Sequence, residues 1–368
     1  MRKLRARKRE LWAAACILLY LTVNVWILYK LFHIREYADI AALSCQAGSI
    51  TETAFDQWRE NGDGGMYSWA AVWKAEKKRR IISEDTGGGR SVSCYMIKGQ
   101  PGAIFGRGLT EGRYFTEGEE EVCLLDQSTV RQIFGSDKVT GLTVQMDGKS
   151  FQIAGVLEGS APVCVIPARK GTAFDGIAVR KNEAGCSSNQ VFSMLETAFG
   201  GADGQKVDGQ LYYVTAWLLY TGTAMMIPVL LVDAISGCIR YGKRGSSRNP
   251  VIWTRLKNPV FRYGMYLTCL TMAVGILILG VRMADMGSDY LPTYWSDFEF
   301  FSKLFKDKAE QIRSLAVHQE FSVWEEMFGV WRRLAGAEIF AGMLAGVLHL
   351  SLKWGQNVHS TYESEEME

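Results

Sequence analysis

Apolar residues in this chain gather into four long blocks, separated by stretches of shorter and mixed periodicity. The first block, residues 11–32 (LWAAACILLYLTVNVWILYKLF), is long enough as a helix to cross a hydrocarbon layer of about 30 Å. Blocks at 211–236, 263–283 and 334–352 predict three more spans, the last interrupted by Glu338 and His349. Aromatic rings such as Trp12, Tyr212, Tyr263 and Trp331 stand near the block ends, where an amphipathic ring sits at headgroup level.

Between the first two blocks the pattern changes. Residues 50–61 place Phe55, Trp58 and Arg59 at helical spacing, with Thr51 or Thr53 available as a cap. Short β-branched and aromatic runs at 69–74, 78–83 and 92–98 predict separate strands. The sharpest local signal is Asp147-Gly148, a two-residue hairpin turn that sets Met146 against Lys149, Val144 against Phe151 and Leu142 against Ile153. That register puts Leu142, Val144, Phe151 and Ile153 on one face. Gly112, Gly135, Gly141 and Gly155 fall at strand or helix ends, where a positive φ or a close backbone approach is wanted. Beyond the third block, residues 294–316 carry Phe298, Phe301, Leu304, Phe305 and Ile312 on one helical side, with Lys303, Lys306, Lys308 and Arg313 among the others. Two placements suit such a helix: on a membrane surface, or against the domain at 33–210.

Composition changes this picture little, because 48% hydrophobic and 22% charged residues average over blocks that are anything but average. The arrangement of charge says more. Residues 1–10 hold six cations, and residues 237–262 hold seven (Arg240, Lys243, Arg244, Arg248, Arg255, Lys257, Arg262) with no acid. The positive-inside bias puts both segments in the cytoplasm, 33–210 and 284–333 outside, and the acidic tail 353–368 inside. The first block is read as a retained span rather than a signal peptide, since it is too long and no small-x-small site follows it closely. The chain is thus expected to be a multi-pass protein of the cell membrane: an α-helical four-span transmembrane part with an inserted mixed α/β extracytoplasmic domain.

Candidate chemistry is sparse. Five cysteines lie outside the blocks (Cys45, Cys94, Cys123, Cys164, Cys186) without a CxxC pair, and read as small buried side chains with at most one or two bridges. Gly148-Lys149-Ser150 resembles the end of a phosphate loop, but Thr143 stands where the earlier glycine is required and a strand follows instead of a helix. The four histidines (His33, His318, His349, His359) form no metal-ligand spacing, no GxSxG elbow occurs, and the acidic run at 117–121 reads as a solvated loop. No cofactor, metal, nucleic-acid partner or catalysis is therefore expected. In the fourth block Ala337, Ala341 and Ala345 recur every fourth residue and Gly342 and Gly346 form a GxxxG, a candidate helix-packing seam. Asp233, Glu338 and His349 fall close to the block ends, which argues against a proton pathway.

Gly106-Arg107-Gly108-Leu109, Gly112-Arg113-Tyr114-Phe115-Thr116, residues 122–125, Gln132-Ile133-Phe134-Gly135, residues 139–144 and Phe151-Gln152-Ile153-Ala154-Gly155-Val156-Leu157 occur in order, closing near Ile166-Pro167. This series resembles the periplasmic core domain of the MacB/FtsX family of ABC transporter permeases. The resemblance implies an outside domain inserted after the first of four spans, in a homo- or heterodimer served by a separate cytoplasmic ATPase that binds the ATP. It also implies a permease-type function in which motion of that ATPase is transmitted through the spans, for export, extraction or signalling. The family carries a stretch of the type REIGILRALG between spans two and three; here SGCIRYGKRGSSRNPVIWTRLKNPVFRYG stands in its place. Arg240, Lys243, Arg244, Arg248, Trp253, Arg255 and Lys257, with a short amphipathic piece at 251–256, are the candidate contacts of this loop with the ATPase or with membrane lipid. The alternative is a non-transporting membrane sensor or scaffold that keeps the outside domain but has lost the ATPase contact.

Overall fold

The structure is a computed structural model that describes residues 2–62, 65–105, 108–159, 161–182, 187–200, 204–243, 258–284, 288–290, 299–317 and 322–365. Along the chain, α1 (Arg2–Ile34) is followed by β1 (Ile40–Ser44), β2 (Ile50–Thr51), α2 (Glu52–Asn61), β3 (Tyr67–Ser83), β4 (Gly89–Gly99), β5 (Leu109–Gly112), β6 (Val122–Asp126) and α3 (Gln127–Phe134). Then come β7 (Thr143–Met146), β8 (Lys149–Leu157), β9 (Val163–Pro167), β10 (Ala173–Phe174), β11 (Gly176–Lys181), α4 (Ser188–Phe199) and β12 (Gln205–Asp208). The remainder is helical: α5 (Gly209–Ala224), α6 (Met226–Lys243), α7 (Pro259–Ala284), α8 (Glu299–Val317) and α9 (Ser322–Glu365). Two units emerge, a membrane unit (Met1–His33, Val214–Asp285, Trp331–Glu368) and an outside unit (Ile34–Tyr213, Met286–Val330).

Four helical stretches are long and apolar enough to cross a membrane: Ala14–Tyr37, Gly209–Gly237, Pro259–Ala284 and Glu326–Lys353. They coincide with the four apolar blocks, with two differences. The second is broken at Met225 between α5 and α6, because Pro228 has no N–H to give the Ala224 carbonyl and its ring crowds the preceding turn. The fourth begins earlier than the block at 334, since α9 starts at Ser322. Glu338 therefore lies near the middle of its span rather than at an end, which overturns the expectation for this residue.

The outside unit is mixed α/β. Its ten-stranded sheet has the order β12-β1-β11-β3-β4-β9-β6-β8-β5, with β7 paired to β3 and β8. Two apolar cores form on it. One gathers Ile81, Val92, Leu125, Val130, Ile133 and Phe151 around α3; the other gathers Leu43, Phe55, Val72, Phe174, Phe192 and Leu195 around α2 and α4. The runs expected as separate strands at 69–74 and 78–83 are one 17-residue strand, β3, bent where its register against β4 shifts between Glu76 and Arg79. Between those runs β3 pairs with β4 alone, so one edge is open and the Lys and Arg side chains of this stretch reach water without breaking the strand.

Local signals hold where they are strong. Thr51 caps α2, its side chain accepting from the Ala54 amide at 3.3 Å. The hairpin pairs Met146 with Lys149 and Val144 with Phe151, with positive φ at both Asp147 (50°) and Gly148 (75°), the signature of a I′ turn. Val144, Phe151 and Ile153 are buried as expected, whereas Leu142, beyond the end of β7, stays 37% exposed. Replacing Gly148 with alanine forces a Cβ into the left-handed region, and a loss of about 1–2 kcal/mol is expected in denaturant unfolding of the full-length protein. Cys94, Cys123 and Cys164 are buried together in the first core and, like Cys45, are unbridged; Cys186 lies outside the described residues. Packing accounts for these three: the Cys164 thiol beside Cys94 and the Cys123 thiol beside Cys164, together with burial, push the Cys94 and Cys164 thiols well above the ordinary range, away from the reactive thiolate.

Candidate functional site: the root of the outside unit

The outside unit has its two ends in the main chain side by side. β1, which follows the first span, pairs antiparallel with β12, which precedes the second, in the register Ala41 with Asp208 and Ser44 with Gln205. Just past β12 the backbone of Gly209 lies against the Tyr37 carbonyl group. A Cβ on Gly209 would collide with the Tyr37 carbonyl oxygen and come within 2.7 Å of its carbon and 3.2 Å of the Ile40 oxygen. Only glycine permits this crossing.

A buried charge cluster sits at the same place. Asp208 is 1% exposed, and two lysines converge on it, Lys308 of α8 with Nζ to Oδ2 at 3.3 Å and Lys181 of β11 at 3.9 Å. Lys181 Nζ donates to Ser188 Oγ at 2.7 Å and to Gln210 Oε1 at 2.9 Å, and Ser188 Oγ donates to Asp208 Oδ1 at 3.0 Å. Asp289 extends the cluster: it accepts from the Ser187 hydroxyl and, at 3.2 Å, from the Asn189 amide, which fixes the start of α4. The Lys308 ammonium also lies 5.4 Å from the Tyr290 ring centroid, and burial pushes the Tyr290 hydroxyl above its usual range. Burial lowers the Lys181 ammonium, against the pull of Asp208, Asp39 and Asp289 and with the repulsion of Lys308. This network ties β11, α4, β12, α8 and the first turn of α5 into one block.

α8 therefore packs on the outside unit, through β12, and its facing differs from the expected stripe. Lys308 is turned inward, while Phe301 and Phe305 of the apolar set are 44% and 72% exposed. Residues 294–298 of that predicted stripe lie outside the described residues. A signal for Lys308 was present: it stands between Leu304 and Ile312 at i and i+4 spacing, on the face that packs. Asp208 and Lys181 had none, being single charges at strand ends.

A second feature of this unit is a cleft of about 670 Å³. Ile97, Phe115, Phe151 and Ile166 give it an apolar floor, with Lys149, Arg169 and Lys170 and the acids at 117–121 around it. Lys98 anchors one wall, donating to Glu52 at 2.9 Å and Asp56 at 2.6 Å. That bond, with the Gly171 amide, holds the Glu52 carboxyl below the usual range. Among the described residues no group of His, Cys, Asp and Glu is arranged to hold a metal ion.

The residues singled out from sequence fall elsewhere. Arg240 and Lys243 belong to the last turns of α6; Arg244, Arg248, Trp253, Arg255 and Lys257 lie outside the described residues, as does the piece at 251–256. On α9, Ala341 and Ala345 are fully buried and Ala337 half-buried. A Cβ on Gly342 would stand 3.8 Å from Thr223 Cγ2, and one on Gly346 would meet nothing within 4 Å.

Comparison with known proteins places the outside unit. Residues 45–198 match the family model of the MacB-like periplasmic core domain. Among solved structures, the periplasmic region of MacB from Actinobacillus actinomycetemcomitans is similar at 17% identity, covering 48% of this chain and 92% of that one, with a TM-score of 0.40. The extracellular domain of the noncanonic ABC-type transporter YknZ from Gram-positive bacteria is similar at 15% identity, covering 46% and 98%, with a TM-score of 0.35. No curated protein gives a significant match.

Proposed function

We propose that this chain, which carries a MacB-like periplasmic core domain between the first and second of four apolar helices, is the permease-type transmembrane subunit of an ABC transporter. The observation that carries the reading is the insertion itself: the domain's two chain ends are paired strands of one sheet edge, so a displacement of the first span relative to the second acts directly on β1 and β12. In this reading a separate cytoplasmic ATPase binds and hydrolyses ATP, the subunit pairs with itself or with a second permease subunit, and the root of the outside unit passes the motion outward. The basic N-terminus and the 237–262 loop face the cytoplasm, and both chain termini lie there.

The composition of that loop favours a second reading. It lacks the family's coupling stretch, and its cations, each contributing about 1 kcal/mol near an anionic membrane, suit lipid anchoring as well as an ATPase. A sensor or scaffold without ATPase coupling follows if lipid is its only partner. Purification of the intact protein from its native membrane separates the two. The permease reading expects an ABC ATPase to co-purify and to be lost when Arg240, Lys243, Arg244 and Arg248 are changed together to glutamate. An outside unit that still captures a ligand while no ATPase is recovered from wild type establishes the sensor.

A further inference from the structure

The membrane unit buries one carboxyl group that no described residue satisfies. Glu338 is 1% exposed, and neither of its oxygens has a hydrogen-bond partner among the described residues. It belongs to the buried stripe Leu334, Glu338, Ala341, Ala345 and Leu348, at the alternating spacing of a helix-packing seam, near the middle of the span Glu326–Lys353. Polar ties flank it along α9. On one side Trp331 Nε1 donates to Thr215 Oγ1 of α5 at 3.0 Å; on the other the His349 ring contacts the Asp233 carboxylate of α6. Both ties join residues 116 apart, so α9 runs parallel and in step with α5 and α6 over about 27 Å of helix.

Few titratable groups face Glu338. From α5 comes Tyr220; from α1, next to Tyr220, comes Tyr20, whose hydroxyl donates to the Thr223 carbonyl at 2.7 Å. One turn along α1, the buried Asn24 has its Oδ1 unpartnered as well. On α6, Asp233 is engaged by His349 about 16 Å further along the seam. On α7 the cation nearest that level is Arg282, two residues past the Gly280 that meets Thr221, and it is exposed. An ionised carboxylate in such a place is an uncompensated buried charge, whereas a neutral carboxyl forfeits only its hydrogen bonds, the smaller loss.

We propose that Glu338 is a proton-binding site in the membrane. Its carboxylate takes up a proton to become a neutral carboxyl when α9 packs on α5 and α6, and returns the proton to water when that seam opens. Packing and proton binding then stabilise each other, so the packed seam is favoured at low pH and weakens as pH rises. This assigns the membrane unit a proton-responsive element, independent of whether an ATPase drives it.

Dicyclohexylcarbodiimide tests the site on full-length protein in phosphatidylcholine liposomes. A carboxyl proton passes to a carbodiimide nitrogen, the carboxylate oxygen adds to its central carbon, and the adduct rearranges to a stable N-acylurea with no group lost. The expected result is an adduct on the peptide containing Glu338 at neutral pH, decreasing about tenfold per pH unit on the alkaline side of its midpoint. E338Q, permanently neutral and of the same shape, is expected to give no adduct there and a melting temperature that no longer falls as pH rises. Absence of the wild-type adduct at neutral pH overturns the proposal, as does an E338Q protein with wild-type pH dependence. If E338Q does not fold, the pH course of wild-type labelling decides alone.

Discussion

Asp208→Ala is expected to lower the stability of the full-length protein by about 3–5 kcal/mol, the range for removing one partner of a buried ion pair. The reason is what it leaves behind. Lys308 loses its ion-pair partner and Lys181 its nearest carboxylate, while Ser188 loses the closer of its two hydroxyl acceptors and keeps only Gln210. Both ammonium groups remain enclosed, Lys181 with 5% and Lys308 with 10% of the side chain exposed. Asp208→Asn retains an acceptor for Ser188 but not the charge, and is expected to fall between wild type and alanine. The pH course follows from Lys181. Burial already depresses its folded-state value below the unfolded one, and losing Asp208 depresses it further. Over the window between the folded and unfolded values the unfolded chain binds more protons, so stability rises with pH there. The deficit of the variant is accordingly full at neutral pH and shrinks on the alkaline side. Tryptophan-fluorescence melting in nanodiscs at two pH values measures both; a variant within about 0.5 kcal/mol of wild type, the scatter of ordinary surface changes, would remove the cluster from the account of the root.

Gly209→Ala probes the same root through sterics instead of charge. The added Cβ meets main-chain atoms of Tyr37 and Ile40, which cannot turn aside as a side chain would, so backbone must shift. Overpacking of this kind costs about 1–3 kcal/mol. Hydrogen exchange should show faster amides in β1 and β12 and unchanged protection in the β7–β8 hairpin, which belongs to the other core. Under the permease reading the variant keeps its ATPase but transmits less of its motion. Wild-type protection in β1 and β12 would show that the crossing tolerates a side chain and carries no such role.

What could be read in advance follows the range of the interactions. The hairpin at Asp147-Gly148 and the α2 cap at Thr51 are set by neighbours within a few residues, and both came out in the expected register. β3 did not, because whether Lys74 to Arg80 breaks a strand depends on which of its edges is paired, a fact about β4, β7 and β11. The inward turn of Lys308 depends on a carboxylate 100 residues away. Glu338 falls at mid-span rather than near an end because the apolar block at 334 is only part of a longer helix. The first turns of that helix carry Trp324, Met327 and Phe328, buried in the outside unit beside Trp73 and Tyr212.

By itself, then, the sequence determined the four spans, the insertion of a large domain after the first of them and the motif series of a MacB-like core. Each is written in local hydrophobic pattern, turn chemistry or residue order. Only the tertiary structure decided that β1 and β12 join the domain's two ends in one sheet edge, that Asp208, Lys181 and Lys308 lock that edge, and that Glu338 is sealed in the membrane unit with no partner among the described residues. Burial and charge pairing are properties of where distant segments meet, and no window of sequence contains them.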